Sequence, residues 1–208
     1  RSAYVTGVLT CALPIYSKRD SERTKVIMKK LEEKQLTSQE YYRNSFLKVT
    51  EDEVILPNDK QAKRVVVHHP GGVNLIALDE ANRLMLVEQY RYPIEKATLE
   101  TPAGKIEPGE ETSVTAKREL EEETGYTCES LKMIGRFATS PGFCNEYIEN
   151  FLVINPQKLD YEVAGDEDEF INLYHVTKEE ALKFVEEGRI CDFKTIYAIQ
   201  YLILHHQW

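Results

Sequence analysis

The sequence predicts an α/β fold, a sandwich with a mixed β-sheet covered by helices. Three observations carry this. β-rich runs come first, then a helix, then further strands, and two helices close the chain. The runs 74–78 (NLIAL) and 84–90 (LMLVEQY) are apolar enough to be buried on both faces. Helix ends are signalled at Gly125, a C-cap residue, and at Thr177 with Glu180 three residues on, a capping box.

In chain order, residues 28–40 are charged, helix-tolerant and poorly patterned. Residues 45–69 read as a hairpin around Pro57-Asn58-Asp59. Residues 71–93 read as a second hairpin around Asp79-Glu80-Ala81-Asn82, and 98–104 (TLETPAG) as a short strand ending in a tight turn. A helix after Pro108 has Ala116 and Leu120 on its apolar side. Strands follow near 130–138 and 146–154, then a loop over 155–168 and a strand in FINLYHV. The helix TKEEALKFVEEG and a closing helix over 194–206 complete the order.

Composition narrows the function. The chain has 208 residues, 42% hydrophobic, which suits one domain or one domain with a small appendage. Its net charge of -9 argues against a nucleic-acid partner, and no apolar run is long enough to span a membrane. Cys11, Cys128, Cys144 and Cys191 lie far apart without zinc spacing and read as reduced thiols of a cytoplasmic protein. Residues 5–15 (VTGVLTCALPI) resemble translated adapter read-through, so 1–27 are expected to be a non-native or disordered extension, with Met28 as a native start. Residues 28–70 are expected to supply N-terminal strands, and 71–208 the catalytic domain.

The chemistry concentrates in 104–126, GKIEPGEETSVTAKRELEEETGY. Six carboxylates (Glu110, Glu111, Glu119, Glu121, Glu122, Glu123) surround Arg118. On a helix, Glu119, Glu122 and Glu123 stand at i, i+3 and i+4 and share one face. Like charges so placed repel, and a divalent cation offsets that. Hard oxygen donors suit Mg²⁺ or Mn²⁺, with substrate phosphates completing the shell.

This run resembles the Nudix box. Gly104, Glu110, Arg118-Glu119-Leu120, Glu122-Glu123 and Gly125-Tyr126 fill every fixed position. The flanks are similar to the ADP-ribose pyrophosphatase subgroup: Val87-Glu88-Gln89-Tyr90-Arg91, Pro102-Ala103-Gly104, Pro141 fifteen residues after Tyr126, Asp166-Glu167-Asp168-Glu169-Phe170 and the ending KTIYAIQYL. The resemblance implies an α/β/α fold and metal-dependent hydrolysis of ADP-ribose, or of another nucleoside diphosphate sugar, in a homodimer that shares its N-terminal strands. It implies metal ligands at Glu119, Glu123 and the carbonyl of Ala103, with Glu122 a further ligand, a bridge or a support. Arg118 would orient carboxylates. The general base would be Glu169, with Glu167 next.

The fork-shaped guanidinium of Arg91 suits a diphosphate. Pro141, Gly142 and Phe143 are further substrate candidates, with Phe143, Tyr90 or Phe46 available to stack on adenine. Arg64 is a candidate contact across the dimer. Thr101 and Gly72-Val73-Asn74 depart from the subgroup and put the nucleotide pocket in doubt. A non-hydrolysing sensor would be expected to lack a catalytic carboxylate; here all three box carboxylates are present.

Overall fold

The computed structural model describes residues 31–161, 163–165 and 170–208. These fall into two units, one holding residues up to Tyr41 together with Thr50–Val65, the other Tyr42–Val49 and Val66–Trp208.

The first sheet has the order β1 (Lys34–Arg43), β2 (Lys48–Ile55), β3 (Gln61–His68). The hairpin expected over 45–69 is present. Its turn closes where Leu56 N donates to Lys60 O at 2.8 Å, and Asp59 takes a positive φ of 62°, a conformation Asp tolerates. The stretch 28–40, read as charged and helix-tolerant, is strand from Lys34 on, as part of β1. Thr37, Tyr41 and Tyr42 suit an extended chain, and Thr37 and Ser38 bond across to Glu53 and Asp52. Cross-strand pairing overrides local propensity here.

The second unit has two further sheets. One has the order β7 (Ala103–Lys105), β4 (Gly72–Ile76), β9 (Tyr147–Lys158), β8 (Tyr126–Ala138), with β4 parallel to β9 and the other pairs antiparallel. The other has the order β10 (Ile171–Val176), β5 (Leu84–Arg91), β6 (Lys96–Glu100). The expected second hairpin is therefore only half right. Its turn closes, with Asp79 N donating to Arg83 O at 2.9 Å, but β4 and β5 part into different sheets after a single bridge, Leu78 to Leu84. The segment 98–104 splits likewise, at Thr101-Pro102. Proline has no N–H for a ladder, and Pro102 O instead accepts from Leu75 N at 2.8 Å.

Alternation along β4 and β5 explains why both runs are apolar throughout. Val73, Leu75 and Met85 join one core with Ala116, Leu120 and Phe151. Ile76, Leu84 and Leu86 join the other with Leu99, Ile190, Ala198, Ile199 and Leu202. Helix α1 (Thr112–Thr124) covers the first face. Helices α2 (Lys178–Glu186) and α3 (Phe193–Leu204) cover the second. The result is the α/β/α sandwich that the sequence predicts. Both expected helix signals are present: Gly125 ends α1 with φ 69°, and Thr177 and Glu180 close a capping box on α2.

Candidate active site

Helix α1 carries the carboxylates, and β7 meets them. Ala116 and Leu120 anchor α1 in the core, fully buried, which turns the face bearing Glu119, Glu122 and Glu123 toward β7 and solvent. Glu119 and Glu123 are themselves buried, at 9% and 8% exposure. Ala103 N donates to Glu123 Oε2 at 2.9 Å. Gly104 lies so close to Glu119 that a Cβ there would stand 1.9 Å from the carboxyl carbon. Glycine is needed at 104 for this approach. The carbonyl-bearing strand and two of the candidate ligands are thus in contact.

Arg118 organises the rest. Its Nη1 donates to Glu119 Oε1 at 2.9 Å and to Glu122 Oε2 at 2.8 Å. Its Nε and Nη2 reach Glu110 at 3.4 and 3.3 Å. Glu110 also accepts from Thr115 Oγ1 at 2.8 Å. Burial pulls the Arg118 pKa down, but the hydrogen bonds and charges of Glu110, Glu119 and Glu122 outweigh it, so the pKa is raised. The hydrogen bond from Arg118 holds the Glu110 carboxyl below the usual range.

The donor set is all oxygen, which fits a hard divalent cation. Among the described residues no three His, Cys, Asp or Glu side chains form a ready-made cage. Mg²⁺ is commonly held by one or two carboxylates plus substrate phosphates. Glu119, Glu122, Glu123 and the Ala103 carbonyl are the groups that would hold it.

Residues 68–196 match the NUDIX domain, and residues 33–67 match the nucleoside diphosphate sugar hydrolase N-terminal domain. The chain belongs to the Nudix family. It is 46% identical over 176 residues to the methanol dehydrogenase activator of Bacillus methanolicus, spanning 85% of this chain and 95% of that protein. It is 45% identical over 177 residues to the ADP-ribose pyrophosphatase of Bacillus subtilis (strain 168), spanning 85% and 96%. A crystal structure of an ADP compounds hydrolase superposes with a TM-score of 0.70 at 18% identity, covering 84% of this chain and 96% of that one, which shows the shared fold. Nudix hydrolases generally use divalent metal ions.

In this Nudix chain β7 serves a second purpose. Ala103, Gly104 and Lys105 also line a cavity of about 330 Å³ with Phe46, His69, Gln89, Arg91 and Lys194. Arg91 is bound through both ends of its fork, Nε to Glu100 Oε1 and Nη2 to Glu100 Oε2, each at 2.8 Å. Glu100 is 4% exposed and also accepts from Thr98 at 2.5 Å and from Lys194. Burial pushes the Glu100 pKa up, but hydrogen bonds from Arg91 and the charge of Lys194 outweigh this and hold it at about 2. A second cavity, of about 420 Å³, runs along Glu121–Gly125 and Lys158–Tyr161.

Pro141, Gly142 and Phe143 lie on an exposed turn, where Phe143 N donates to Ser140 O at 3.1 Å, and they do not line the cavity beside Arg91. Arg64 is bound at both ends of its fork by Glu33, at 2.9 and 2.6 Å. Glu167 and Glu169 lie outside the described residues. Of the positions that depart from the subgroup, Gly72 and Val73 line the cavity beside Arg91, while Thr101 and Asn74 belong to a buried network: Thr101 Oγ1 donates to Asn74 Oδ1 at 2.6 Å, and Asn74 Nδ2 to Asn150 Oδ1 at 2.9 Å. Sequence reasoning missed Glu100, Lys105 and Lys194. No local spacing singles them out, because their partners come from distant segments.

Proposed function

We propose that this Nudix hydrolase splits the pyrophosphate of ADP-ribose into AMP and ribose 5-phosphate. One observation supports this above the others. Strand β7 has buried carboxylates, Glu119 and Glu123, against its backbone, and it also lines a cavity that holds the cations Arg91 and Lys105. A diphosphate needs both kinds of group within one molecule's reach. The 45% identity to an ADP-ribose pyrophosphatase supports the substrate.

The reaction joins a water oxygen to one phosphorus and breaks the bridging P–O bond. The attacking water loses a proton, and the leaving phosphate departs as an anion. Glu119, Glu122, Glu123 and the Ala103 carbonyl would hold Mg²⁺, which when bound neutralises phosphate charge and lowers the pKa of coordinated water. Arg118 keeps Glu119 and Glu122 oriented through charge-assisted bonds. Arg91, with Nε and Nη2 engaged by Glu100, offers its Nη1 donors to the diphosphate. The proton acceptor is assigned to Glu169, with Glu167 as its alternative; a carboxylate able to reach the water suffices.

A second reading keeps the reaction and changes the sugar nucleotide. The match of residues 33–67 to a nucleoside diphosphate sugar hydrolase N-terminal domain favours it, as does 29% identity to a GDP-mannose pyrophosphatase of Yersinia pestis. We further assign a homodimer formed through the N-terminal strands, since β1 is exposed along its whole length. Arg64 is a contact available to the partner. The unpaired thiols of Cys128, Cys144 and Cys191 are consistent with a cytoplasmic setting.

Release of the nucleoside monophosphate from ADP-ribose, ADP-glucose, GDP-mannose and 8-oxo-dGTP, and of adenine nucleotides from diadenosine polyphosphates, with and without Mg²⁺, tests these readings. The expected result is Mg²⁺-dependent cleavage fastest on ADP-ribose. Preference for another sugar nucleotide selects the second reading, and cleavage of 8-oxo-dGTP alone overturns both.

A further inference from the structure

Arg91 is the outer end of a line of four charges that alternate in sign. Asp192, the N-cap of α3, accepts from Lys194 Nζ at 3.0 Å. Lys194 also donates to Glu100 Oε2. Glu100 in turn grips both ends of the Arg91 fork. Exposure changes sharply along the line: the Glu100 and Lys194 side chains keep 5% and 9%, and Arg91 keeps 42%. Glu100 and Lys194 are withdrawn from water; Arg91 and Lys194 both line the cavity, Arg91 being the more exposed of the two.

Two consequences follow from elementary electrostatics. A carboxylate paired with a guanidinium cancels much of its field. Lys194 draws on the same carboxylate, so less of the Arg91 charge is cancelled at the open end. Thr98 and Lys194 also occupy the remaining acceptor sites of Glu100, which fixes the carboxylate plane and with it the fork. Without Lys194, two carboxylates would share one cation, and Asp192 Oδ2 is already a buried oxygen with no hydrogen-bond partner among the described residues. Arg91 would then be drawn toward the carboxylates and away from any anion in the cavity.

We propose that Lys194 is a positioning residue for anion binding: from the first turn of α3 it shares the charge of Glu100 and sets the Arg91 guanidinium toward the cavity, so the closing helix forms part of the diphosphate site. This rests on the assignment of Arg91 to the diphosphate.

The test uses the full chain with two readouts: binding of inorganic pyrophosphate by calorimetry, and steady-state turnover of ADP-ribose with Mg²⁺. Lys194→Met is expected to raise the pyrophosphate Kd and the KM by about tenfold, with kcat held within about twofold. In an Arg91→Ala background the same change is expected to do nothing further, because both act through one group. Asp192→Asn removes the opposite charge and is expected to lower Kd or leave it unchanged. Lys194→Arg keeps the cation and is expected to rescue binding. Should Lys194→Met fail to fold, Thr98→Val, which frees one Glu100 acceptor without altering charge, is expected to weaken binding only while Arg91 is present.

Equal effects of Lys194→Met with and without Arg91, a lower melting temperature with unmoved Kd and KM, or a rise in Kd for Asp192→Asn would each overturn the proposal. The substrate reading fails separately. A wild-type protein that binds pyrophosphate with this coupling but leaves ADP-ribose intact sinks the substrate and keeps the positioning role. Turnover of ADP-ribose with additive variants does the reverse.

Discussion

Two charge clusters among the described residues are built on opposite principles. Around α1, Glu110 before the helix and Glu119 and Glu122 on it share the cation Arg118, and Glu123 stands beside them, bound by a backbone N–H. In the other cluster Asp192, Lys194, Glu100 and Arg91 balance to zero. The first is short of positive charge. The second is closed upon itself, with Glu100 and Lys194 buried. A cluster that cannot neutralise itself is a demand for something from outside, here a divalent cation. A balanced one is a scaffold, and it acts through whichever member reaches the surface. That member is Arg91.

Glu100→Gln should break the balanced cluster most severely, because it leaves Arg91 and Lys194 without their carboxylate; a loss of about 3–5 kcal/mol is expected in urea unfolding. The same residue predicts a pH dependence. Its folded pKa is held at about 2, below the ordinary 4.5. The stability it contributes is therefore complete above about pH 4.5 and is lost as pH falls toward 2. Unfolding midpoints measured across that window should fall in the wild type, and this component should vanish in Glu100→Gln.

In the unbalanced cluster the expected change is in activity. Glu123→Gln should lower kcat on ADP-ribose by about a hundredfold to a thousandfold, with a melting temperature close to wild type. Unchanged turnover would remove Glu123 from the ligand set. Gly104→Ala tests the contact with β7. Its Cβ would force the Glu119 carboxylate aside, and activity at limiting Mg²⁺ should drop by about 10–100-fold, recovering in part at high Mg²⁺. Thr177→Ala lies outside both clusters. It should cost about 1 kcal/mol of stability through the lost cap and leave kcat unaltered, which sets the scale for the other four measurements.

Legibility in the sequence divides along the same line. Glu119, Glu122, Glu123 and Arg118 were readable because helical spacing places them together whatever the rest of the chain does. The two caps were readable for the same reason: Gly125 and Thr177-Glu180 act within a few residues. Strand partnership was not. Residues 71–93 carry a hairpin's turn, yet β4 and β5 enter different sheets, since apolar runs buried on both faces pair equally well with several partners. Residues 28–40 read as poorly patterned, because the pairing of β1 with β2 is exposed and polar.

By itself, then, the sequence determined the carboxylate face and its arginine, the helix ends and the sandwich class, all of which follow from periodicity over a few turns of chain. Only the tertiary structure decided that Ala103 and Gly104 press against Glu123 and Glu119, twenty and fifteen residues away along the chain. It alone decided that Lys194 stands behind Arg91. Those contacts join segments up to 94 residues apart. They are chosen by which apolar faces bury together, a collective property that no local spacing encodes.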